Sequence, residues 1–379
     1  MTGLDRMVSD TLTRIADDDV HVERLLAGAR AGGLRLRRRR RLAIVAGAAL
    51  SVAAVGTGIA LAAALLPAAP GGVPAAPPVT SGPAPVSAGP APSATARTLP
   101  PPLESLPALP VAAGEPTALS DPSAVGRPLR IHLGLDALPF PVDLVQYLSS
   151  TDGERLNVQG RASAGSGTMP EMTVRLARST TDFEPLEGTR KSVTVGGRPG
   201  TFAYLAKYGA GTLRWRLANG LWLQVSGPFD EPAALAVGNG VRLDRTFRCA
   251  VPLRLPSAPA AAKPETCTIT FIAGEDVITG LTVAIGGSYI SFTTEHGNGP
   301  PAADLNETLG GRPARVVEHP GDGGNQILEV LMAVGGGAEV SVTAEGHYDG
   351  AVVRGLTAGL QWLGGADPSS WPENPLPGS

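Results

Sequence analysis

The chain reads as an α+β protein of two tandem modules, each an antiparallel sheet with a C-terminal helix, preceded by one transmembrane helix. Three observations predict this. The decapeptide VTVGGRPGTF at 193–202 recurs as ETLGGRPARV at 307–316, an offset of 114. After each copy come two runs with apolar residues at every second position, the spacing of a half-buried strand, and then an aspartate that opens a stretch with apolar residues at helical spacing. Far upstream, residues 42–66 form a run of 25 residues without one charge.

Residues 1–41 form an amphipathic, basic arm. Leu4, Val8, Leu12 and Ile15 share a helical face with Met7, while Asp5, Arg6, Asp10 and Arg14 lie elsewhere. A second short helix runs through Val22, Leu25, Leu26 and Ala29. Two such helices are too small for a core of their own. Their apolar stripes therefore need a protein partner, a second copy or the membrane surface. We take Leu4, Val8, Leu12 and Ile15 as the partner-binding face. The arm holds ten arginines against six acids, in a chain whose overall charge is −3. Five of those arginines, Arg37, Arg38, Arg39, Arg40 and Arg41, abut the uncharged run. Beside a membrane they hold the arm against anionic lipid, and no direct contact with nucleic acid is expected.

As a helix, residues 42–66 would be about 37 Å long at about 1.5 Å per residue, enough to cross a bilayer core of about 30 Å with some tilt. The flanking arginines predict a cytoplasmic N-terminus and an extracytoplasmic C-terminal part. A cleaved signal is the competing reading, with small residues at Ala62–Ala64. The long basic arm and long apolar run favour the anchor, since an export signal has a short basic region and an apolar stretch of roughly 7–15 residues. Residues 67–125 follow as a disordered linker rich in Pro and Ala, whose first part should favour extended polyproline II.

Module one is placed at 126–248, module two at 249–366, and a loose Pro/Ser-rich tail at 367–379. Each module is expected to hold about five strands. In the first, Leu213, Trp215 and Leu217 alternate, Asn219-Gly220 turns the chain, and Leu221, Leu223 and Val225 alternate again. In the second, Leu328, Val330 and Met332 precede a glycine turn, and Val340 and Val342 follow. Helices are expected over 231–241 and 351–363, with Asp230 and Asp349 as N-caps. The repeated turn itself, Gly197, Arg198 and Pro199 with Gly311, Arg312 and Pro313, combines residues that permit unusual backbone with one that fixes φ.

Cys249 and Cys267 are the two cysteines. Outside a membrane, an even pair at short separation reads as a disulfide worth about 3 kcal/mol in the chain-entropy description. Two buried thiols are the alternative. No histidine has metal-ligand spacing, no nucleophile elbow or Ser-x-x-Lys appears in the folded part, and the glycine-rich stretches read as hairpin turns. No catalytic residue, metal site or cofactor is therefore expected. Trp215 and Trp222 fall on opposite faces of adjoining strands, one toward a core and one toward a surface.

In the arm LDRMVSDTLTRIADDDVHVERLLAGARA, the arginine run and the span, the chain resembles actinobacterial single-pass membrane proteins associated with extracytoplasmic-function sigma factors. The folded part, with GGRPGTF, TLRWRLANGLWLQVSG and EPAALAVGNGVRL, is similar to uncharacterised extracytoplasmic domains. The resemblance implies an anti-sigma-like role. It departs from the zinc-containing pattern, because residues 1–41 contain no cysteine. The expectation is a non-enzymatic regulator or sensor, with a cytoplasmic protein partner such as a sigma factor and an envelope ligand. The alternative is a structural or ligand-binding envelope protein whose arm only sets topology.

Overall fold

The computed structural model describes residues 100–377, except 162–168, 182, 276, 297–299, 301, 321–325 and 366. The arm, the uncharged run and most of the linker lie outside the described residues. Among the described residues no helix is long and apolar enough to cross a membrane.

Alternating side chains make the long strands. In the first half these are β1 (Val142–Ser150), β2 (Gly153–Gly160), β3 (Glu171–Ala177), β4 (Thr189–Val195), β5 (Arg198–Leu205), β6 (Ala210–Arg216) and β7 (Trp222–Gly227), followed by helix α1 (Glu231–Asn239). In the second half they are β8 (Lys263–Ile272), β9 (Ile278–Ile285), β10 (Ser288–His296), β11 (Glu307–Leu309), β12 (Arg312–Pro320), β13 (Gln326–Gly335) and β14 (Ala338–Gly346), followed by α2 (Gly350–Gly359).

All fourteen strands form one antiparallel sheet, ordered β11-β12-β13-β14-β10-β9-β8-β1-β2-β3-β7-β6-β5-β4. This corrects the expectation of two separate sheets of about five strands. Each half supplies seven, and the halves join where β8 pairs with β1 from Thr266↔Ser150 to Ile272↔Leu144. That pairing removes two strand edges that separate modules would have left open. Outward from the join both halves follow one path, with three strands in succession, then the last strand of the half, then back through the remaining three.

The two Gly-Gly turns have matching geometry. Gly196 and Gly197 have φ of 54° and 76°, and Gly310 and Gly311 have 55° and 76°. Both central residues are left-handed, as the two-residue hairpin that suits strand twist requires. The following prolines sit one residue before their strand gains its second neighbour, at Gly200↔Trp215 and Ala314↔Met332. Their missing N–H therefore costs no ladder bond.

Both aspartate caps are present. Asp230 accepts from the Ala233 N–H at 3.0 Å, and Asp349 from the Ala351 N–H at 2.8 Å. The helices end earlier than their apolar spacing suggests, because the next residues pair as short strands, Val241–Arg242 with Gly134–Leu135 and Gln361–Trp362 with Leu253–Arg254. Helix α1 packs over β4, β6 and β7, and α2 against β11.

One face of the sheet is the core, lined by Leu156, Val174, Leu213 and Val225 in one half and Leu328, Val330, Val340 and Val342 in the other. Residues 100–125, expected as linker, belong to the fold. The Leu103 N–H donates to Val142 O at 2.7 Å, and Leu109, Ala118 and Val125 are buried. Leucines appear in that stretch at 103, 106 and 109, and they provide the apolar anchors that the proline-rich part before it lacks. The expected loose tail is packed as well. Trp371 and Leu376 are buried, and the Leu255 N–H donates to Pro375 O at 2.8 Å. Two large apolar side chains outweigh the Pro/Ser composition there.

Candidate functional site

The sheet join carries the most concentrated polar construction. On the core face, one row runs across the strands as Leu281, Cys267, Ser149, Glu154 and Leu176. Cys267 is bonded to Cys249, with 6.1 Å between their α-carbons, and both are 1 % exposed or less. The Cys249 N–H donates to Leu129 O at 3.0 Å, and Ser149 Oγ donates to Arg127 O at 3.1 Å.

Glu154 stands in that apolar row with its side chain sealed from solvent. Its Oε2 accepts the backbone N–H of His132 at 2.6 Å and of Leu133 at 3.1 Å, and its Oε1 lies 2.5 Å from His132 Nδ1. A carboxylate that takes two backbone N–H bonds also acts as acceptor toward the ring, so Nδ1 carries the hydrogen. His132 Nε2 then points into buried surroundings without a partner. A dyad this enclosed cannot meet a substrate. It bolts residues 127–133 onto the sheet, as the disulfide bolts Cys249. The sequence reading missed it, although Glu154 lies in phase with the inward Leu156 and Val158.

The opposite face is polar and ordered. Gln146 Nε2 donates to Thr270 Oγ1 at 3.1 Å, Asn157 Nδ2 to Gln146 Oε1 at 3.0 Å, and Thr173 Oγ1 to Asn157 Oδ1 at 3.0 Å. This ladder crosses β8, β1, β2 and β3 and ties the two halves on their outer side. Alternation also puts Arg155, Arg175, Arg214 and Arg216 on this face in the first half, and Glu295, Glu329, Glu339 and Glu345 in the second. Trp222 is half-buried there, with the Arg216 guanidinium 5.7 Å from its ring centroid, while Trp215 is buried in the core. Arg214 lies 5.2 Å from the Phe183 ring and donates to Gln224 Oε1 and to Glu184 O. Burial, and then the Arg190 charge, pull its ionisation below the ordinary arginine value.

The repeated turns are not brought together, since β4–β5 and β11–β12 lie at opposite ends of the sheet. Each seats the end of its own helix. Asn239 Oδ1 accepts the Gly196 N–H at 2.8 Å, and Arg312 Nη2 donates to Leu360 O at 2.6 Å. Gly197, Arg198, Pro199, Gly311 and Pro313 serve as turn and strand-start residues. The arm face Leu4, Val8, Leu12 and Ile15 and the run Arg37–Arg41 lie outside the described residues.

A depression of about 510 Å³ is lined by Gln326, Gly346, His347, Tyr348 and Asp349. Burial, helped by the Glu318 carboxylate, pushes the Tyr348 phenol up. Among the described residues no group of three or more His, Cys, Asp or Glu is placed to hold a metal ion.

No family model matches the chain, and no curated protein matches it. Solved structures to which it is similar include MucB in complex with MucA(peri), at 9% identity and a TM-score of 0.22, covering 60% of this chain and 96% of that one. The Pseudomonas aeruginosa MucA/MucB complex matches at 10% identity and a TM-score of 0.22, covering 60% and 95%. MucB alone matches at 10% identity and a TM-score of 0.17, covering 63% and 94%. At such scores the likeness carries no argument about fold or function.

Proposed function

We propose that the chain is a single-pass, membrane-anchored, non-enzymatic regulator or sensor. Its arm binds a cytoplasmic protein, such as a sigma factor, and its sheet binds an envelope ligand. The observation that carries this reading is the Cys249–Cys267 disulfide in a domain that follows Arg37–Arg41 and 25 uncharged residues. Disulfides persist in oxidising compartments, which supports an extracytoplasmic position for the sheet, and the flanking arginines support a cytoplasmic arm. The ordered polar outer face, with arginines prevailing in the first half and glutamates in the second, supports a binding role there.

Reporter fusions test the topology, with Val20 expected inside and Pro300 outside. A mature product beginning between 65 and 70 would identify a cleaved signal instead. Co-purification on the arm tests the partner. A docked Leu or Ile contributes roughly 1.5–3 kcal/mol when fully buried, so Leu12→Asp is expected to abolish capture. Arg38→Ala should leave capture intact and lower topological fidelity. Unchanged cytoplasmic interactions in Leu12→Asp would reduce the arm to a topogenic leader.

A further inference from the structure

The two ends of the sheet are treated differently. At one end β11 is three residues long, and Asn306 closes the ladder beyond it. Its Nδ2 donates to Val316 O at 2.7 Å and its Oδ1 accepts the Val316 N–H at 2.8 Å, so a side-chain amide stands where the next peptide unit would pair. Helix α2 covers that end, with Arg354 reaching Glu307 at 3.1 Å. At the other end β4 runs for seven residues, Thr189–Val195, and among the described residues is paired only to β5. In a two-residue hairpin the residues flanking the turn, here Val195 and Arg198, exchange hydrogen bonds, and the pattern alternates from there. The N–H and C=O groups of Thr194, Ser192 and Arg190 therefore point away from the sheet, and all three residues are exposed.

Both charges carried on β4 itself are positive, and the exposed Glu184 and Glu187 lie in the loop before it. On the core side Lys191 is matched by Glu231 at 2.7 Å. On the outer side Arg190 donates to a neutral acceptor, Leu186 O, and Arg214, two strands in, donates to the neutral Gln224 Oε1 and Glu184 O. A second copy paired antiparallel over the whole strand would set Arg190 opposite Thr194 and bring no carboxylate to the outer side. An acidic strand would instead complement the outer side.

From the free peptide groups of β4 and the arginines beside them, we infer that this edge docks an extended acidic peptide segment of a partner protein, added antiparallel as a further strand with a carboxylate beside Arg190. Main-chain bonds give such a strand its affinity and the alternate side chains its specificity. This inference deepens the binding role proposed above, rests on it, and names a protein strand as the ligand class.

The test uses the full-length chain in detergent and two short blocked peptides, one of alternating valine and glutamate, the other of alternating valine and lysine. Fluorescence anisotropy is expected to favour the glutamate peptide by at least about tenfold, falling with added salt. Ser192→Pro removes an outward N–H that the β4–β5 ladder does not use, and proline is tolerated at such a position. It should lose the binding with an unchanged melting temperature. Arg190→Glu should invert the peptide preference. N-methylation of alternate amides in the glutamate peptide should abolish binding to the unaltered chain, a result independent of any variant's folding. Equal binding by Ser192→Pro, or self-association of the chain through this edge with neither peptide bound, overturns the inference. Topology labelling of the same variants in intact cells separates the two readings. Lost peptide binding with Pro300 outside removes the edge site alone, whereas Pro300 inside removes the regulator reading.

Discussion

Replacing Glu154 with alanine would strand three donors at once, the backbone N–H groups of His132 and Leu133 and the ring Nδ1. Each buried donor left unsatisfied costs about 1–3 kcal/mol, so urea denaturation of Glu154→Ala should show a much earlier midpoint with little change in slope. Glu154→Gln should cost less, because one acceptor survives. Equal stability in both would remove the bolt described here. The acid could be read from the sequence, since it stands in phase with Leu156 and Val158. Its partner could not, because His132 lies 22 residues away in a segment without periodicity. A second carboxylate sets a pH response. The Arg130 hydrogen bond holds Glu115 below its ordinary value of 4.5. A lowered folded-state value means stabilisation that is present above the unfolded range and lost as pH falls through the folded one. Melting temperature should therefore fall more steeply on acidification below about pH 4.5 in the unaltered chain than in Glu115→Gln.

Among the elements, the paired glycine turns allow a comparison within one molecule. Gly196 and Gly310 share their backbone conformation, yet a Cβ on Gly196 would meet nothing within 4 Å, while one on Gly310 would lie 2.1 Å from Ala358 O. Gly196→Ala should cost only the left-handed strain, about 1–2 kcal/mol. Gly310→Ala should cost clearly more and loosen α2, as thermal melts of the two variants would show. Turns, caps and the Trp215 hairpin were all legible, because each depends on residues close in sequence. Strand number was not. β4 carries Arg190, Lys191 and Ser192, which break the apolar alternation, and Lys191 can face inward only because Glu231 in α1 answers it. The tail was misread for a related reason, since composition gives no weight to a single well-placed tryptophan.

For the whole molecule, the join between halves was the illegible step. Periodicity reveals a strand but not which distant strand will cover its edge, so two modules and one shared sheet look alike in sequence. The disulfide beside the join was legible from spacing and topology. Removing it in Cys249→Ser/Cys267→Ser should lower the unfolding free energy by about 3 kcal/mol, measurable by chemical denaturation. Both sulfurs are enclosed, so reductant should act on the unaltered chain only as fast as it unfolds. The join also imposes an order in time. A chain that emerges from its N-terminus presents β1 long before β8 exists to pair with it, and the first half must wait with the outer edge of β1 bare. Pairing so distant in sequence is slow, and a bare strand is prone to adhere to its neighbours. Cys267 stands opposite Ser149 across the join and bonds Cys249 there, so the appearance of the bond in newly made protein is expected to track the moment the sheet is made whole.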